Sequence, residues 1–378
     1  MAYLIPRPPE CLQGPPMTDV SRADHLALQI LKPLAVHYLR PELEEVVINR
    51  PGEIWHKHRQ GGTWEAVEDA DLTYDRIAKI CRVLANINGA RFNETDLPVV
   101  SCELPGQPYR FQALMGQNVR YDLGDRKGVG VAIRSLAAPL RDFDAWRPDQ
   151  RAGGSDAFLV EQARLEEDFA APDDVVDGLR MAIDRGETIL VSGATSTGKT
   201  SFTNRVISII ERDARIVTVE DTRELAVPHP NRLHLIVPRN RGSNAFGWNQ
   251  AVDSLMRLTP DWIVCGELSV ANASTIYNLM GKGHPVITTV HAGSAEEAMQ
   301  AFVNNMSADG SNLDPRSTLD DLHAKIGCIV QLDRHNGRRR ISEVAFPAAE
   351  RRREEAIRRA ERRQDLDGRV KRLAEAAR

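Results

Sequence analysis

Residues 186–225 read GETILVSGATSTGKTSFTNRVISIIERDARIVTVEDTREL. The apolar run from Thr188 to Val191 predicts a strand, and Phe202, Val206, Ile209 and Ile210 fall on one face of a following helix. Between them, Gly193-Ala194-Thr195-Ser196-Thr197-Gly198-Lys199-Thr200 fits the G-x-x-x-x-G-K-[ST] pattern in the strand–loop–helix setting it requires. Gly193 and Gly198 let the backbone curl until its N–H groups point inward, the following helix aims its positive end at the same spot, and the stretch from Gly193 to Ser201 is expected to bind the nucleotide. Such a nest suits a triphosphate. Lys199 is expected to reach the β- and γ-phosphates, and the Thr200 hydroxyl to ligate Mg²⁺.

Downstream the pattern repeats. Buried β runs at Ile216–Val219, Trp262–Cys265 and Val286–Val290 alternate with helical segments, which predicts a mainly parallel sheet. Each run ends in something chemically unusual: Glu220-Asp221, then Glu267, then His291. Ligands of open α/β sheets bind off the carboxyl ends of strands, so four separated motifs converge on one crevice. Glu267 is placed to orient an attacking water, and Glu220 to hold Mg²⁺ through water or to help place the nucleophile. His291 has two open roles: a hydrogen bond to the γ-phosphate, or one to the carboxylate opposite.

Upstream, residues 21–140 read as a small α+β unit. Leu26, Ile30, Leu31 and Leu34 recur at helical spacing, and strands are expected at Glu45–Asn49 and Glu53–His58, joined by Arg50-Pro51-Gly52. A helix follows at about Tyr74 to Asn88, then strands at Val99–Leu104, Tyr109–Leu114 and Val129–Ile133. His56-x-His58 reads as a strand surface feature. Transition-state charge calls for a cation beyond Lys199. The candidates are Arg223, which either reaches the site or pairs with Glu224, and Arg110 and Arg134 on strands of the first unit.

Five prolines in residues 1–20 mark a flexible arm, residues 141–171 a linker, and residues 172–347 the phosphate-binding unit. From Arg338 to Arg378 there are fourteen Lys or Arg against eight Asp or Glu, on a chain whose whole carries −4. Residues 348–378 therefore form a basic helical tail. It is either a solvated helix held by i,i+4 pairs or an arm for an anionic membrane surface or acidic partner. The near-neutral balance excludes a chain that coats nucleic acid along its length, so direct nucleic-acid binding is not expected. No 18-residue apolar run and no signal-like N-terminus occur, which places the expected site of action in the cytoplasm. Five scattered cysteines, without a C-x-x-C pair, encode neither a disulfide framework nor a zinc ribbon.

Taken together, the sequence resembles the traffic ATPases of type IV secretion systems over about residues 21–345. GATSTGKT matches the family's Walker A motif, TVEDTREL (218–225) its aspartate box, and RLTPDWIVCGEL (257–268) its Walker B segment. GKGHPVITTVHAGSAEEA (281–298) matches its histidine box, and PHPNRLHL and EVVINRPGEIW point to the same branch. The resemblance implies an α/β, RecA-like P-loop domain with a smaller α+β amino-terminal domain, assembled as a homohexamer at the cytoplasmic face of the bacterial inner membrane. It implies ATP and Mg²⁺ as cofactors, ATP hydrolysis as the activity, and inner-membrane components of the secretion machine as partners. The work done would be substrate transfer or pilus assembly; a nucleotide-gated docking scaffold and a pilus or Tad-type motor are the alternatives. Glu220, Glu267 and His291 become nucleotide-site residues by this analogy, and Arg110 and Arg134 phosphate-contacting arginines. Ser269 stands where the family often has arginine, and Val286 where it usually has glycine.

Overall fold

The computed structural model describes residues 22–60, 62–105, 107–135, 175–237, 246–335 and 338–359. The expected arm, the whole expected linker and residues 360–378 of the expected tail lie outside them.

The first part of the chain builds a six-stranded antiparallel sheet. Its strands are β1 (Leu43–Arg50), β2 (Glu53–His58), β3 (Trp64–Glu68), β4 (Val99–Glu103), β5 (Tyr109–Gly116) and β7 (Gly128–Ser135), in the order β3-β2-β1-β7-β5-β4. Helices α1 (Arg22–Tyr38) and α2 (Tyr74–Ile87) cover one face. Thr73 starts α2 by accepting the Arg76 N–H on its hydroxyl, and Ile77, Ile80, Cys81 and Leu84 form the buried stripe. Leu31 and Leu34 of α1 pack into the same core.

The second part is an eight-stranded sheet ordered β14-β13-β8-β12-β11-β9-β10-β6. Its parallel centre comprises β8 (Thr188–Gly193), β9 (Ile216–Glu220), β10 (Arg232–Ile236), β11 (Trp262–Cys265), β12 (Val286–Val290) and β13 (Ile326–His335). Antiparallel edges are supplied by β14 (Arg338–Ala345) and by β6 (Val119–Arg120), a two-residue strand sent across from the first unit. Helices cover both faces. On one, α3 (Val175–Asp184) and α4 (Lys199–Ile207) meet Ile189 and Val191; on the other, α5 (Trp248–Leu255), α6 (Ala273–Gly281) and α7 (Ala295–Ala308) meet Leu190. Helix α8 (Pro315–Lys325) leads into β13. Each fully buried Ile, Leu or Val contributes about 1.5–3 kcal/mol, so this two-sided burial holds the strand ends rigidly.

The four strand-end segments stand at the expected positions, while β3, β6, β10, β13 and β14 were not among those expected. This is an α/β architecture with a RecA-like arrangement. Residues 347–359 are helical, α9. Its i,i+4 pairs, Arg351–Glu355 and Arg358–Glu354, fit the solvated-helix reading for these residues. Arg351 also donates to the Asp320 carbonyl and Arg352 pairs with Glu187, so the helix is tied to the sheet's helical layer.

His56 corrects the surface reading. It is 1 % exposed, its Nε2 lies 3.0 Å from Nδ1 of His37, and His37 Nε2 meets Asp69 at 2.9 Å. Burial and the neighbouring His37 push His56 down to about 4, so it is neutral at ordinary pH.

Candidate nucleotide site

The strand β8 ends at Gly193, whose φ of 154° belongs to glycine; a Cβ there would stand 2.5 Å from the Leu332 carbonyl oxygen. The loop then turns through Ser196 at φ 65° and Gly198 at φ 98° before α4 begins at Lys199. The Thr197 hydroxyl donates to the Ala194 carbonyl at 2.9 Å and braces the turn.

Off these carboxyl ends opens a cleft of about 280 Å³. Thr195, Ser196, Lys199, Thr200, Glu220, Glu267 and His291 all line it. Lys199 donates to the carbonyls of Gly193 (2.8 Å) and Ala194 (3.1 Å) and to His291 Nδ1 (3.1 Å). Because Nδ1 accepts, the imidazole proton sits on Nε2, which faces Glu267 Oε1 at 3.1 Å. Lysine, histidine and carboxylate thus form one relay across the cleft, so of the two roles open to His291 the bond to the opposite carboxylate is present. Burial draws the Lys199 ammonium below its ordinary value, and Glu267 pulls the other way.

Glu267 is held from behind. Asn272, 1 % exposed, donates to the Glu267 carbonyl at 2.8 Å and accepts the Ser269 N–H at 2.8 Å. The residue standing in place of the family's arginine therefore takes part through its backbone. Val286 is fully buried and pairs with Ile263 in the sheet.

Glu220 is different. It is 2 % exposed, and its Oε2 accepts the N–H groups of Glu224 and Leu225, both at 2.7 Å. Its Oε1 accepts the Thr218 hydroxyl at 2.9 Å. Thr218 in turn meets His234 Nδ1 at 2.7 Å, and Arg223 donates to His234 Nε2 at 2.8 Å. Burial alone would raise the Glu220 carboxyl, but His234 and the two backbone donors outweigh it and the group lies low. His234, fully buried, is pushed down to about 4 by desolvation. Arg223 neither enters the cleft nor pairs with Glu224; it stands 3.7 Å from Glu220 and braces His234.

What Glu220 anchors is the 221–225 loop, and this loop carries a residue that sequence reasoning passed over. Glu224 lines the cleft and accepts the Thr200 hydroxyl at 3.4 Å. Among the described residues no group of three or more His, Cys, Asp or Glu is arranged to hold a metal. The hydroxyl and carboxylates around Thr200 are hard oxygen donors, fitting Mg²⁺ bound by one or two protein ligands and completed by phosphate oxygens and water.

Arg110 and Arg134 are not in this cleft. They stand opposite each other on β5 and β7, where Arg134 pairs with Glu44 at 3.0 Å. Burial, Arg134 and Arg257 lower the Arg110 guanidinium, against the pull of Glu45.

Comparison with known proteins follows this geometry. Residues 168–313 match the family model described as Type II/IV secretion system protein. The Type IV secretion system protein VirB11 of Bartonella quintana is 27 % identical over 346 residues, covering 85 % of this chain and 93 % of its own length. The Type IV secretion system protein PtlH of Bordetella pertussis is 28 % identical over 342 residues, covering 81 % and 91 %. The crystal structure of the VirB11 ATPase from the Brucella suis type IV secretion system, in complex with sulphate, superposes with a TM-score of 0.69 at 25 % identity. That match spans 85 % of this chain and 99 % of the other.

Proposed function

We infer, from its place among the traffic ATPases of type IV secretion systems, that this chain is an Mg²⁺-dependent ATP hydrolase. It works as a homohexameric ring that powers substrate transfer or pilus assembly at the cytoplasmic face of the inner membrane. The observation that carries the hydrolase reading is the Lys199–His291–Glu267 relay across the mouth of the phosphate loop.

An arriving γ-phosphate exchanges the bonds that Lys199 makes to Gly193, Ala194 and His291 for stronger charge-assisted ones. His291 is then free to turn its Nδ1 away, so phosphate occupancy is reported through one imidazole to Glu267. Glu267, exposed at the cleft mouth and steadied by Asn272, accepts a hydrogen bond from the attacking water and orients it. Thr200 and Glu224 would hold Mg²⁺, with Glu220 acting on the metal through the loop it anchors. When bound, Mg²⁺ neutralises charge on the β- and γ-oxygens. ATP as the nucleotide is carried over from the Brucella suis VirB11 ATPase.

Positive charge for the transition state is still short on the γ side of the cleft. Arg110 and Arg134 lie outside it, Arg134 with a side chain 43 % exposed, and are proposed to serve the cleft of a neighbouring subunit. No helix among the described residues is long and apolar enough to cross a membrane. Attachment is proposed to run through inner-membrane components of the machine.

The test is ATPase activity per chain measured against protein concentration, with particle mass determined by light scattering in the same samples. Specific activity is expected to climb as particles of about six chains assemble, and Arg110→Ala and Arg134→Ala are expected to lose that gain. A monomer that hydrolyses ATP as fast as the assembled particle would overturn the ring reading.

A further inference from the structure

The sheet order gives the cleft two unlike sides. Glu220, Glu267 and His291 all come from strands on the β12 side of β8, whereas β13 and β14 lie on the other. The pairing of Leu332 with Gly193 carries β13 past the end of β8, so the β13–β14 hairpin stands beside the phosphate loop. From it, Arg339 lies against Gly198: its Cδ is 3.0 Å, its Nε 3.4 Å and its Nη1 3.5 Å from where a Cβ on that glycine would stand. Arg339 is exposed and pairs in register with Arg334, so two guanidinium groups share one face of the hairpin. Arg340, on the alternate face, is paired with Asp333.

We propose that Arg339 forms a wall for the nucleoside end of the nucleotide held by the phosphate loop. The inference rests on the nucleotide-site reading above and extends it to a part of the ligand that no other described feature reads. With the γ-phosphate drawn toward Lys199, His291 and Glu267 on the β12 side, the nucleoside must leave the loop elsewhere, and the β13–β14 side is where a planar cation waits. A guanidinium suits the role because it stacks on a heteroaromatic face as a lysine ammonium does not. Gly198 is a glycine because its φ of 98° strains any residue with a Cβ.

The test is calorimetric titration of the full chain, with Mg²⁺, by ADP and by inorganic tripolyphosphate, for wild type, Arg339→Ala and Arg339→Lys. Arg339→Ala is expected to weaken ADP roughly tenfold while leaving tripolyphosphate unchanged, and Arg339→Lys to restore little of the loss. Unchanged ADP affinity overturns the proposal. Equal weakening of ADP and tripolyphosphate also overturns it, since the residue then acts on phosphates, and so does full rescue by lysine, which makes it a bare charge. If wild type binds neither ligand, the nucleotide-site reading itself fails, an outcome separate from all of these. Arg339 is exposed, and its variants are expected to melt with the wild type.

Discussion

The carboxyl ends of the strands and the junction between the two sheets both concentrate charge, and they treat it in opposite ways. At the carboxyl ends Glu267 and His291 keep side chains 38 % and 47 % exposed, and His291 meets Lys199 and Glu267 through one exchangeable bond to each. At the junction Arg215 is fully buried. Its guanidinium donates to the Leu258 carbonyl (2.8 Å), to Asn49 of the first unit (2.7 Å) and to Asn231 (2.6 Å), near Trp64 and Asp261. Burial draws it down to about 10, still charged at neutral pH. Asn49 also donates to Asn231 at 2.8 Å, and the hydroxyl of Ser254 faces Gln112 across the same junction. A site that must trade partners during turnover keeps its charges wet; a joint that must hold one geometry seals them. The difference separates effects on chemistry from effects on stability.

Breaking the junction gives the larger stability effect. Arg215→Ala leaves Asn49, Asn231 and the Leu258 carbonyl facing a hole, and a loss of about 3–5 kcal/mol is expected in denaturant unfolding. The matched change at the open end, Glu267→Gln, should cost under about 0.5 kcal/mol, as for other exposed positions. Similar losses from both would erase the contrast.

Acid sharpens it more gently. His234 and His56 are both neutral in the folded chain, with values pushed from 6.5 to about 4. In that window the unfolded chain binds more protons than the folded one, so stability is full above pH 6.5 and falls as pH drops toward 4. Glu220, whose carboxyl lies low, adds its loss only below the ordinary carboxylate range. Against wild type, His234→Gln should flatten the fall by about 3 kcal/mol at pH 4 in urea midpoints. An unaltered pH profile would mean that His234 is not held neutral by its burial.

The chemistry at the strand ends was legible because it is local. A phosphate loop, and an acid or histidine one or two residues past an apolar run, need only a few neighbours in sequence to be seen. Long-range partners were not. Arg215 precedes a strand without any motif, and its meaning comes from Asn49, far away in the chain. Glu224 sits in TVEDTREL but is overshadowed by Glu220, whose anchoring role appears only once the Glu224 and Leu225 N–H groups are seen pointing at it. Arg339 lies in a run of three arginines that reads as solvated charge, and only the register of β13 against β8 brings it beside Gly198. His56 was misread for a related reason: alternation along a strand does not reveal that its outer face is covered by α1, from which His37 reaches it.

The most direct measurement is ATP binding and ATP turnover on the same preparation of Glu267→Gln. The relay across the cleft predicts near-wild-type affinity with turnover reduced roughly 10²- to 10³-fold, because the water loses its acceptor while the phosphate loop stays whole. Turnover equal to wild type would contradict it and move the catalytic role away from the carboxylate that His291 holds in place.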